Sequence, residues 1–97
     1  MIFGLFRKKK TAEELGEPIG EVTHFFPHVK AAVIKLKKGA LGVGDTIYLK
    51  GHTTDFEQKI KSMQANHAPI QSASQGQEIG LKVGSKVRHG DKVYKVA

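Results

Sequence analysis

Val33-Ile34-Lys35-Leu36-Lys37-Lys38-Gly39-Ala40-Leu41-Gly42-Val43-Gly44-Asp45-Thr46-Ile47-Tyr48-Leu49-Lys50-Gly51 holds two alternating runs separated by a glycine-rich corner. In the run 29–37, VKAAVIKLK, Ala32, Ile34 and Leu36 share one face. Ala31, Val33, Lys35 and Lys37 share the other. In the run 45–51, Ile47 and Leu49 oppose Thr46, Tyr48 and Lys50. A period of two with one apolar face is the mark of a half-buried β-strand.

The corner GALGVGDT (39–46) has the glycine and hydroxyl spacing of a phosphate-binding loop, with Gly39, Gly44 and Thr46 in the diagnostic places. Asp45 stands where that loop needs lysine, and the following TIYLK forms a strand where a helix N-terminus is required. The corner therefore turns the chain, and no nucleotide is expected on it. Leu41 and Val43 are expected to pin it to the core.

Outward from this stretch the same pattern recurs. The runs 19–26 (IGEVTHFF), 55–64 (DFEQKIKSMQ), 77–83 (QEIGLKV) and 92–96 (KVYKV) complete a set of six expected strands. Gly90-Asp91-Lys92-Val93-Tyr94 echoes Gly44-Asp45-Thr46-Ile47-Tyr48. Glycine takes positive φ without strain and aspartate accepts a hydrogen bond from nearby backbone, so each Gly-Asp is read as a turn that launches a strand. Six short strands in under eighty residues leave open edges as a flat sheet, which predicts closure into a small all-β barrel.

The chain has 97 residues, enough for one modest core, with no cysteine. Cysteine-free packing fits a reducing cytoplasm, the expected location. Two segments are predicted: a flexible or short helical N-terminal tail over 1–17 and the barrel over 18–97. The tail begins MIFGLF and continues with Arg7, Lys8, Lys9 and Lys10. Six apolar residues are too few to span a bilayer, and membrane contact through residues 1–10 is not expected.

Three further stretches share an order with a known family. Val33–Gly51 resembles the strand, G-x-(I/L)-x-x-G-(D/E) turn and strand of domain 2 of translation GTPases, and the run 60–64 (IKSMQ) is similar to that domain's next core strand. Ser74–Val83 resembles its A-G-(E/D)-x-(V/I)-G segment, and Val87–Val93 its closing turn. The resemblance covers nearly all of 19–97. It implies a closed six-stranded β-barrel of the elongation factor domain 2 type. Similar barrels occur at the C-terminal end of some peptidases associated with RNA modification and as stand-alone elongation-factor-like proteins, and this chain looks most like the stand-alone group. It lacks the P-loop and the Asn-Lys-x-Asp motif, so no GTP is expected.

Sixteen Lys and Arg against nine Asp and Glu give a formal charge of +7, a field that attracts polyanions. Lys35, Lys37 and Lys38 lie at one expected strand end, Lys50 and His52 at another, and Lys59 and Lys61 alternate on a third. If those strands are neighbours, the seven residues form a basic stripe. Phe25, Phe26, Tyr48 and Tyr94 could then stack on unpaired bases. The expected function is a non-enzymatic barrel that binds RNA or a ribonucleoprotein, in translation or tRNA modification. The alternative is a protein-interaction module docking on a larger enzyme, with no nucleic-acid contact.

Catalytic and cofactor sites are not expected. His24 and His28, with His52, His67 or Asp55, offer no regular metal-ligand spacing. Asp55 and Glu57 sit beside Lys59 and Lys61 as a solvated charged face. Ser62, Ser72, Ser74 and Ser85 have no evident base.

Overall fold

The computed structural model describes residues 15–96. The elements with described bounds are ten strands: β1 Gly20–Phe26, β2 Ala31–Leu36, β3 Ala40–Gly42, β4 Thr46–Lys50, β5 Asp55–Lys59, β6 Met63–Ala65, β7 Ala68–Ile70, β8 Ser72–Ser74, β9 Glu78–Lys82 and β10 Lys92–Val96. Eight form an antiparallel sheet in the order β5-β4-β10-β1-β2-β9-β6-β7, and β3 pairs with β8. The expectations for residues 1–14, including membrane contact through 1–10, lie outside the described residues. Among the described residues no helix is long and apolar enough to cross a membrane.

The all-β expectation holds, but the closed six-stranded barrel does not. The sheet is open, with β5 and β7 as unjoined edges. Two local features keep them apart. The predicted strand 55–64 breaks at Ile60, whose N–H donates to the Asp45 carbonyl and whose carbonyl accepts from Gly44, both at 2.8 Å. Pro69, inside β7, has no N–H to offer a further ladder. A side chain spans part of the remaining gap: Gln58 Nε2 donates to the Lys82 carbonyl and Gly84 N–H donates to Gln58 Oε1, each at 2.8 Å.

The Gly-Asp echo is a real structural repeat, and it has a third copy. In residues 42–45, 74–77 and 88–91 the fourth residue donates its N–H to the carbonyl of the first, at 3.0, 3.1 and 3.1 Å. The fourth side chain returns the bond: Asp45 Oδ2, Gln77 Oε1 and Asp91 Oδ2 accept from the N–H of Gly42, Ser74 and Arg88 at 2.8, 2.7 and 2.8 Å. The third residue is Gly44, Gly76 or Gly90, with φ of 99°, 93° and 92°. Positive φ at this turn position favours glycine. The turns launch β4, β9 and β10.

The inner face is apolar. Val22, Ile34 and Ile79 align across β1, β2 and β9, while Leu36, Gly20, Val93 and Leu49 align across β2, β1, β10 and β4. All are buried. Leu41 and Ile60 join this core, with Val43 packed against it. At Thr23 the register of β1 against β2 slips, pairing Val22 with Ile34 but His24 with Val33. A bulge of one residue reverses which face each later side chain takes. Phe25 therefore packs against the core opposite Ala32, while Phe26 stands outward opposite Ala31.

Candidate interaction cleft

The expected basic stripe can be followed residue by residue on the outer face. Cross-strand partners share a face, and one row runs Asp55, Lys50, Lys92, Glu21, Lys35, Glu78 across β5, β4, β10, β1, β2 and β9. Three lysines meet three carboxylates. Lys37 Nζ lies 2.8 Å from Glu21 Oε1 and Lys92 Nζ 3.5 Å from it, while Lys50 Nζ is 3.3 Å from Asp55 Oδ2. Lys38 forms an ion pair with Glu17. The hydrogen bond and charge of Lys37, with the charge of Lys92, hold the Glu21 carboxyl below its usual range.

Three strand spacings separate Lys50 from Lys35, about 14 Å. His52 is exposed beyond β4, and Lys59 and Lys61 are exposed on the far edge around the Ile60 break. The seven residues thus form no common positive surface: four of them lie in or beside a charge-balanced ladder. Among the described residues the expected aromatic platform does not form either. Tyr48 and Tyr94 are partners on β4 and β10 at 4% and 7% exposure, and Phe25 packs against the core.

Phe26 is different. It is 45% exposed, and Val29 beyond it is 54% exposed; these are the exposed large hydrophobic residues among the described residues. Both line a surface cleft of about 620 Å³. Its floor is built by two outer rows that the Thr23 bulge creates. One runs Phe26, Ala31, Lys82; the other runs His24, Val33, Gly80, Gln64. Small residues at 31 and 80 make the depression. A Cβ placed on Gly80 would meet only the Ala32 carbonyl at 3.9 Å, so the space above it is open. The wall opposite Phe26 is the β6–β7 hairpin, whose turn residues Asn66 and His67 take φ of 52° and 65°.

His24 packs its ring on Phe26, with centroids 4.5 Å apart and planes at 37°. Ser62, His67 and Glu78 also line the cleft, yet no hydrogen bond joins any two of them among the described residues. Nor does any group of three or more His, Asp or Glu stand close enough to hold a metal among those residues. The sequence already carried the cleft in Ala31, Val33 and Phe26, but without the bulge the outward turn of Phe26 was hidden.

No protein-family model matches the chain. It is 43% identical over 77 residues to an uncharacterized protease of Methanocaldococcus jannaschii, covering 78% of this chain and 19% of that protein. It is 31% identical over 78 residues to a collagenase of Porphyromonas gingivalis, covering 79% of this chain and 22% of the relative. The chain thus spans about a fifth of the length of the curated relatives it matches. Among solved structures, the C-terminal domain of a U32 peptidase from Geobacillus thermoleovorans superposes with a TM-score of 0.78 at 19% identity, over 93% of this chain and all of that one. Its selenomethionine form gives 0.77 over 82%. These findings overturn the expected kinship with translation elongation factors, and with it the RNA-binding role. The fold is that of a peptidase C-terminal domain, and the relatives in sequence are proteases.

Proposed function

We propose that this chain is a non-catalytic protein-interaction module, taken as residues 18–97, that docks on a larger protease-type enzyme. The observation that carries the reading is the pair of outward apolar side chains, Phe26 and Val29, at the mouth of a formed cleft. Exposed aromatic anchors beside a pocket are the usual energetic centres of protein interfaces. The size relation supports the same reading, since the matched segment is a small part of each protease.

A catalytic role for this segment has less behind it. A serine nucleophile needs a base in hydrogen-bond contact, and Ser62 has none among the described residues. The charge-balanced outer ladder gives polyanions no concentrated target.

The test is affinity capture with the full chain as bait, from the cells that produce it, followed by identification of the bound proteins. The expected result is recovery of a peptidase catalytic chain by the wild type and its loss with the double variant Phe26→Ser, Val29→Ser. Recovery of that chain unchanged by the double variant would exclude the cleft as the docking surface.

A further inference from the structure

Strand β9 loses one of its neighbours before it ends. On one side β2 follows it throughout, and Val83 N–H extends that ladder by donating to the Lys30 carbonyl at 2.9 Å. On the other side β6 meets it only at Gly80, opposite Gln64. Backbone groups alternate in direction along a strand, so the Lys82 carbonyl and the Gly84 N–H face the side that β6 has left. Among the described residues no strand takes them up. The carboxamide of Gln58 does: its Nε2 donates to the Lys82 carbonyl and its Oε1 accepts from the Gly84 N–H, each at 2.8 Å.

These are the two bonds that one residue of a parallel strand makes, giving its N–H to residue 82 and accepting the N–H of residue 84. A side-chain amide thus stands where a peptide backbone fits. Both bonds are open to competition, because Lys82 and Gly84 are exposed and Gln58 is half-buried, and fixing a glutamine costs rotamer freedom. A backbone segment replaces the same two bonds and adds others along its length.

We infer that residues 82–84 are a strand-addition site for an extended segment of a partner polypeptide, kept shut in the free chain by the Gln58 carboxamide. The register states the partner's chemistry. Its residue opposite Val83 must donate an N–H, which excludes proline. That residue also turns its side chain to the face on which Val83 is buried in the core, which calls for a β-branched apolar residue. The site adjoins the cleft through Lys82 but does not depend on the docking reading.

Fluorescence anisotropy on the full chain tests this with three labelled peptides: Ser-Thr-Val-Thr-Val-Thr-Ser, the same peptide with both valines N-methylated, and the same peptide with both valines replaced by aspartate. The first is expected to bind, and Gln58→Ala to tighten it about tenfold by removing the competing amide. Neither altered peptide is expected to bind either protein. Hydrogen exchange adds a readout that a purely structural glutamine would not move. The Gly84 N–H should exchange faster in Gln58→Ala than in the wild type and be protected again when the first peptide is added. Circular dichroism checks that the sheet persists in the variant, and the wild-type comparison of the first two peptides stands even if it does not.

Equal binding of the N-methylated peptide, or indifference to Gln58→Ala, would overturn strand addition. So would failure of the first peptide to bind a Gln58→Ala protein whose sheet is intact. Self-association of that variant with rising concentration, at the expense of peptide binding, would make a second copy the occupant and overturn the partner assignment. Capture through Phe26 is decided separately: its loss leaves this site standing, and failure of the peptides leaves the docking reading standing.

Discussion

Gly51 passes so close to the Asp91 carboxylate that a Cβ at position 51 would overlap it. Asp91 is buried and accepts from Thr54 Oγ1 and the Arg88 N–H, so it has no room to withdraw without losing both bonds. Gly51→Ala is expected to cost roughly 1–3 kcal/mol, as overpacking does. Chemical denaturation of the two proteins would measure it, and a change near zero would mean the site relaxes. Glu21 allows a pH prediction. Lys37 and Lys92 depress its carboxyl in the folded state, so its contribution is present above the unfolded value and lost as pH falls through the folded one. Glu21→Gln should therefore lower stability at neutral pH, where the charged carboxylate contributes, and converge with the wild type in acid, which flattens the acid limb. Thermal melts across pH would show it. A parallel shift of the whole curve would contradict the linkage.

At the scale of elements, the three glycine turns and the bulge divide the work. The turns set where β4, β9 and β10 begin. A Cβ at Gly44, Gly76 or Gly90 would meet nothing within 4 Å, so alanine there tests backbone conformation alone. Each substitution should cost about 1 kcal/mol. Three similar values would support a common turn, and a negligible cost at Gly76 would separate that copy from the others. The bulge sets what β1 presents. Deleting Thr23 should let His24 follow Val22 in a regular ladder opposite Val33, so Phe26 stays outward opposite Ala31 and capture of the partner persists; loss of capture with the sheet intact would contradict that register.

These elements also mark what the sequence made legible. Alternation of Ile34 with Lys35 and of Ile47 with Tyr48 revealed the strands, and the repeated Gly-Asp revealed two turns. The third turn escaped because glutamine replaces aspartate at 77, although its side chain makes the same bond. The strands β3, β7 and β8 have three residues each, too short for periodicity. The bulge leaves no pattern because Thr23 is ordinary strand composition. The lysines were legible as charges but their partners were not: Glu21 and Glu78 meet Lys35 only through cross-strand register.

For the whole molecule, an open sheet bridged at its seam by Gln58 has the fold of a peptidase C-terminal domain without a closed ladder. One row of that sheet alternates lysines with carboxylates, and the cleft beside it carries the exposed Phe26 and Val29. The proposed docking makes this cleft the contact with a larger protease-type chain. Photo-crosslinking tests it most directly, with a benzophenone side chain placed at position 26 or, for comparison, at exposed position 52. The expected result is a crosslink to a peptidase catalytic chain from position 26 and none from position 52. Equal crosslinking from both positions, or crosslinking from 52 alone, would contradict it.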